Sequence, residues 1–222
     1  MGERIELETA VGRIGGWLAR PQGTPRGRIV LIQEIFGVNA HIRAVVERFA
    51  GSGYVTLAPA VFDLIEANIE LDYDAAGIAR GKALAAALGF DRALACVRAA
   101  AAYLRECPGS FEPAAIGFCW GGSLAFLANT RLGLPAVSYY GARSMPFIHE
   151  ALRAPMLFHF GQRDRSIPEA DIAATRAAQP QAQVCVWPAG HGFNCDQRAD
   201  YDAPSSAKAL AVTLAFLAQA LA

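Results

Sequence analysis

Six short runs rich in branched apolar residues recur along the chain at 29–32, 54–57, 114–118, 136–140, 156–160 and 184–187. Runs of this length with no polar alternation suit strands buried on both faces, as in a parallel sheet. Between them lie Ala-, Leu- and Arg-rich stretches with helical spacing at 41–50, 73–88, 91–105, 121–129, 169–178 and 205–221. Strand and helix alternate throughout. The pattern predicts an α/β fold with a mostly parallel central sheet of about eight strands and helices on both faces.

The first residues read differently. Glycines and charges interrupt 5–9 and 12–18, and a turn at Val11-Gly12 joins them, so a short antiparallel start is expected. Residues 23–27 are a surface loop by their Gly and Pro content. The loop at 59–72 mixes Phe62, Leu64 and Ile69 with acids and suits a cap over a pocket.

At 222 residues, with no repeat or low-complexity linker, the chain is expected to form a single domain over 1–222. Lys plus Arg and Asp plus Glu both count 20, which leaves no basic excess for phosphates or anionic lipid. Nucleic acid and membrane partners are therefore not expected. The most apolar tract, 207–222, is too short and Ala-rich to span a bilayer and reads as a helix packed on the protein. The amino terminus shows neither an export nor a myristoylation signal. With five cysteines, an odd number, a reducing cytoplasm fits better than a disulfide scaffold.

The candidate chemistry starts at Gly117-Phe118-Cys119-Trp120-Gly121-Gly122, between a predicted strand and a predicted helix. A nucleophile elbow needs tiny flanks two residues either side of its central residue, because that residue holds a strained backbone; here both are Gly. The helix amino end also favours a thiolate at Cys119. The alternative is a Gly-rich corner with an inert buried Cys. Asp164 follows the strand at 156–160, and His191, between two glycines, follows the last strand, which gives the order nucleophile, acid, base that such folds use. Taken alone, Asp164 could equally cap the helix after Pro168 or pair with Arg163 or Arg165. Of the other histidines, His41 reads as an exposed polar residue at a helix start, His149 as surface and His159 as core.

Together the three predict attack by Cys119 on a carbonyl carbon, proton handling by His191 and orientation of the imidazole by Asp164. An acyl-thiol intermediate follows. The developing oxyanion needs two donors, expected from the backbone N–H groups of Trp120 and of Ile35, in the loop after the third strand. Cys195 lies close to His191, but a zinc site needs two more ligands at matched spacing and none appears, so no metal is expected.

With Gln33-Glu34-Ile35-Phe36-Gly37-Val38-Asn39, the Cys119 elbow, the Asp164 loop and Ala189-Gly190-His191-Gly192-Phe193, the sequence resembles the dienelactone hydrolases, or carboxymethylenebutenolidases, of the α/β-hydrolase superfamily. The resemblance runs over nearly the whole chain. It implies opening of an unsaturated cyclic ester without metal or organic cofactor, and a fourth catalytic residue, Glu34, that helps activate the thiol. A salt-bridged acid at a strand end is the alternative for Glu34. The resemblance also implies that Arg80 binds the substrate carboxylate and that Tyr139 and Phe36, with Trp120, line the pocket. Where the family carries a second anion-binding arginine this chain has Cys195, with Arg198 three residues later, which puts the dienelactone itself in doubt. The expected partner is a small ester or lactone, acted on by a monomer or weak homodimer. A thioesterase or peptidase on the same three residues, or a non-catalytic ligand-binding member, are the competing readings.

Overall fold

Apolar residues on both faces of a strand can be satisfied only by cover on both sides, and that is how the central strands are found. The structure is a computed structural model that describes residues 2–107 and 111–221. The chain forms two compact units, Met1–Ala114 and Ala115–Ala222. Among the described residues there are eight strands, mostly parallel, alternating with helices.

In the first unit, β1 (Glu3–Thr9) and β2 (Gly12–Ala19) form the expected hairpin, and β3 (Gly27–Ile32) and β4 (Tyr54–Pro59) are buried along their whole length. The order is β1-β2-β4-β3, with β2 antiparallel to both neighbours and β3 parallel to β4. Helix α1 (Ala40–Gly51) starts at Asn39, whose side chain accepts from the Ile42 N–H. His41 is not an exposed helix-start residue: it is 1% exposed, because it shares the buried face with Val45 and Phe49 at four-residue spacing. Helix α2 (Ala75–Glu106) contains one non-helical residue, Gly89 at φ 71, which is the break expected between 88 and 91.

The loop at 59–72 is pinned to its own unit. It holds a 3-10 turn (Val61–Leu64), its Asp63 carboxylate accepts from the Gly15 N–H at 2.8 Å, and Phe62 is 1% exposed. Gly37, at φ 83, pairs with Glu70; a Cβ there would lie 1.8 Å from the Ile69 carbonyl oxygen, so only glycine allows this approach.

In the second unit, β5 (Pro113–Phe118), β6 (Ala136–Tyr139), β7 (Met156–Gly161) and β8 (Gln183–Trp187) run parallel in that order. Helices α3 (Trp120–Leu132), α4 (Glu169–Ala178) and α5 (Ala203–Ala220) follow β5, β7 and β8. The register sets Phe118 beside Tyr139, Tyr139 beside His159, and Gly161 beside Trp187. Parallel strands in this register end together, so the segments after all four emerge at one edge. No helix among the described residues is long and apolar enough to cross a membrane.

Candidate active site

Cys119 joins β5 to α3 with φ 54 and ψ −119, a backbone conformation that a residue with a side chain adopts only under strain. Its N–H donates to the Tyr139 carbonyl at 2.9 Å, and its own carbonyl accepts from the Gly122 N–H at 2.9 Å. The tightness of the turn explains the flanking glycines. A Cβ on Gly117 would lie 1.8 Å from the Gly121 carbonyl oxygen, and one on Gly122 would lie 2.7 Å from that of Tyr139. The Trp120 N–H opens α3, where the first donors of a helix have no partner within it.

The next two residues arrive on loops that are laced together. Gln162 N–H donates to the Trp187 carbonyl at 2.7 Å and Arg163 N–H to that of Ala189 at 2.9 Å. Gly161 lets them approach, since a Cβ there would stand 2.6 Å from the Ala189 carbonyl oxygen. On these loops Asp164 Oδ2 lies 2.7 Å from His191 Nδ1, and His191 Nε2 lies 3.1 Å from Cys119 Sγ. The second carboxylate oxygen of Asp164 accepts the Ser166 N–H at 2.7 Å, which fixes the plane of the group. The Asp164 side chain has no solvent exposure and that of His191 is 14% exposed. Asp164 does not cap α4, whose N-cap position belongs to Pro168.

Burial favours the neutral form of His191, but its bonds to Asp164 and Cys119 outweigh that, and the imidazole is pushed up to about 10. Sulfur and carboxylate on either side thus favour the charged form of the ring. An oriented thiol, a proton carrier and a buried acid in succession are the parts needed for acyl transfer.

Tyr139 is buried, 1% exposed, with its hydroxyl bonded to Thr213 Oγ1 at 2.7 Å. The next residue, also buried, touches the imidazole. Tyr140, at φ 41, sets its ring 5.2 Å from that of His191 and 5.3 Å from that of Phe193. Sequence reasoning missed it, although a tyrosine pair before Gly141 at a strand end was there to be read.

Glu34, Ile35 and Phe36 belong to the first unit, in the turn after β3, and all are buried. Phe36 packs on Tyr73 with ring centres 4.4 Å apart, and a Cβ on Gly81 of α2 would stand 2.1 Å from the Ile35 carbonyl oxygen. Arg80, also in that unit, is about half exposed and paired with Glu66. Cys195 is fully buried, whereas Arg198 lies with its guanidinium against Gly192, where a Cβ would meet it at 2.8 Å. Arg198 lines an open cleft of about 630 Å³ together with His191, Arg163, Arg165 and Ser166, opposed by Asp200 and Asp202.

The dienelactone hydrolase family model matches residues 14–221. The chain is 32% identical over 219 residues to carboxymethylenebutenolidase 1 of Cupriavidus pinatubonensis, covering 93% of this chain and 92% of the relative. It is 31% identical over 227 residues to the carboxymethylenebutenolidase of Pseudomonas putida, covering 97% and 96%. A crystal structure from Klebsiella pneumoniae subsp. pneumoniae, assigned to the dienelactone hydrolases, superposes with TM-score 0.85 at 28% identity, covering 99% and 98%. A match over nearly the whole length, on an α/β framework whose second unit ends four parallel strands at one edge, makes this chain a member of the dienelactone hydrolase family, within the α/β-hydrolase superfamily.

Proposed function

We propose that the protein is a cysteine-dependent hydrolase that opens a lactone or cleaves a small carboxylic ester through an acyl-thiol intermediate. The observation that carries this is the run of contacts from Cys119 Sγ through His191 to Asp164, built on an elbow that presents the sulfur at a helix amino end. Relatives named carboxymethylenebutenolidase at more than 30% identity support the substrate class.

With the imidazolium beside it, the sulfur attacks the substrate carbonyl carbon as thiolate, forming a C–S bond and an oxyanion. The Trp120 N–H is one donor to that oxygen; removal of such a donor costs on the order of 3 kcal/mol in barrier. Collapse breaks the bond to the ester oxygen, which takes the proton from His191 Nε2. The now neutral His191 removes a proton from water, the resulting hydroxide attacks the thioester, and the thiolate leaves as the carboxylic acid forms. Asp164 holds Nδ1–H throughout and stabilises the ring each time it is charged.

The test is a panel of lactones and aryl esters on wild type, Cys119→Ala and Cys119→Ser, with intact mass spectrometry after rapid acid quench. Turnover that needs Cys119, and an acyl adduct on that residue, are expected. Full activity in Cys119→Ala would refute the reading.

A further inference from the structure

One buried polar chain joins three of the strands that end at this site. His159, in β7, is fully buried. Its Nδ1 lies 3.1 Å from Trp187 Nε1, and its Nε2 lies 3.0 Å from Thr213 Oγ1 in α5, which is 2.7 Å from the Tyr139 hydroxyl. An indole N–H only donates, so Nδ1 must accept, and the single proton of the neutral ring sits on Nε2 and points at Thr213. Burial pushes the His159 pKa down to about 3, so near neutral pH the ring is uncharged and its tautomer is fixed.

The main chain of the same residues has a second duty. The Tyr139 carbonyl accepts from Cys119 N–H at 2.9 Å, and the His159 carbonyl from Tyr140 N–H at 2.8 Å. The Trp187 carbonyl accepts from both Gln162 and Ala189, at 2.7 and 2.8 Å. Those four donors open the segments that bring Cys119, Tyr140, Asp164 and His191 into place. An apolar core would let neighbouring strand ends shift by tenths of an ångström with little penalty, whereas a buried chain of matched donors and acceptors has one satisfied arrangement.

We propose that the Trp187–His159–Thr213–Tyr139 chain is a positioning device for the active site, with His159 as the positioning residue that acts through Tyr139 and Trp187. It rests on the hydrolase reading above and adds to it the group that sets the spacing of sulfur, imidazole and carboxylate.

Thr213→Val replaces the hydroxyl by a methyl group of similar size and leaves His159 Nε2–H without its acceptor. A fall in kcat of about tenfold is expected, since small misplacement of reacting groups is costly, with KM held within about twofold. The low-field proton resonance of His191 Nδ1–H, which reports the bond to Asp164, should move, and Thr213→Ser should restore both readings. Trp187→Phe, which removes the indole N–H at the other end, is the second variant if Thr213→Val does not fold. A variant that lowers only Tm, with wild-type kcat and an unmoved resonance, overturns the proposal, as does failure of Thr213→Ser to rescue. The resonance needs no turnover. An inactive wild type, or an active Cys119→Ala, would sink the hydrolase reading while the spectral comparison still decides the positioning role.

Discussion

His191 Nε2 lies 3.1 Å from the sulfur of Cys119, so thiol and imidazole compete for one proton along a single line. Burial disfavours the ring cation, and the bonds to Asp164 and Cys119 restore it to the extent that the ring titrates at about 10. Replacing Cys119 by Ala removes one of the two supports. The His191 pKa should then fall from that value while staying coupled to Asp164, as read from imidazole chemical shifts across a pH series. A titration curve that does not move would show that the sulfur has no hold on the proton.

His159 gives a pH dependence of the opposite kind. Its folded pKa, about 3, lies below the ordinary value of 6.5 because of burial. Between those two values the unfolded chain binds a proton that the folded chain does not, so stability rises with pH across that window. The contribution is complete above pH 6.5 and is lost as pH falls toward 3. Each pH unit inside the window is worth about 1.4 kcal/mol for one proton. Urea midpoints at pH 7 and pH 5 should differ more for wild type than for His159→Gln; equal differences would contradict the assignment.

Gly161 stands where the Asp164 and His191 loops cross. A methyl group there would press on the Ala189 carbonyl at 2.6 Å and push the loops apart. Gly161→Ala is expected to lower kcat by roughly a hundredfold, the scale of an ångström misplacement at reacting groups. Circular dichroism should meanwhile show a folded protein. Retained activity would mean that the loops can separate without opening the His191–Asp164 bond.

Cys195 is buried, whereas Arg198 lines the cleft with His191, as do Arg163 and Arg165. A charge-assisted bond to a substrate carboxylate is worth about 1.5–3 kcal/mol. Arg198→Leu should therefore raise KM for carboxylated esters by about tenfold or more and leave neutral esters nearly unchanged. Equal effects on both substrate types would exclude a contact with the carboxylate.

Much of this was legible in the chain because the signals are local and steric. Strands β3, β4, β5 and β7 are rich in apolar residues because they are buried along their whole length, and the elbow is visible because only glycine fits at Gly117. Asp164 and His191 are legible from their order after strands, and the structure sets His191 against Cys119 and Asp164 against His191. What escaped depends on which way a side chain points at the last residue of a strand. Tyr139 and Tyr140 are chemically identical, adjacent and both buried, and with the turn at φ 41 one bonds Thr213 while the other meets the imidazole. His159 read as a core residue, but its partners come from β6, β8 and α5, a convergence no local pattern announces.

The backbone at Cys119, at φ 54 and ψ −119, is one that glycine takes readily and a cysteine resists. Mutation to glycine would therefore relieve strain of about 1–3 kcal/mol while erasing the sulfur, so Cys119→Gly should withstand more denaturant than the wild type. The sulfur thus sits at a position whose backbone favours a residue that could not carry it.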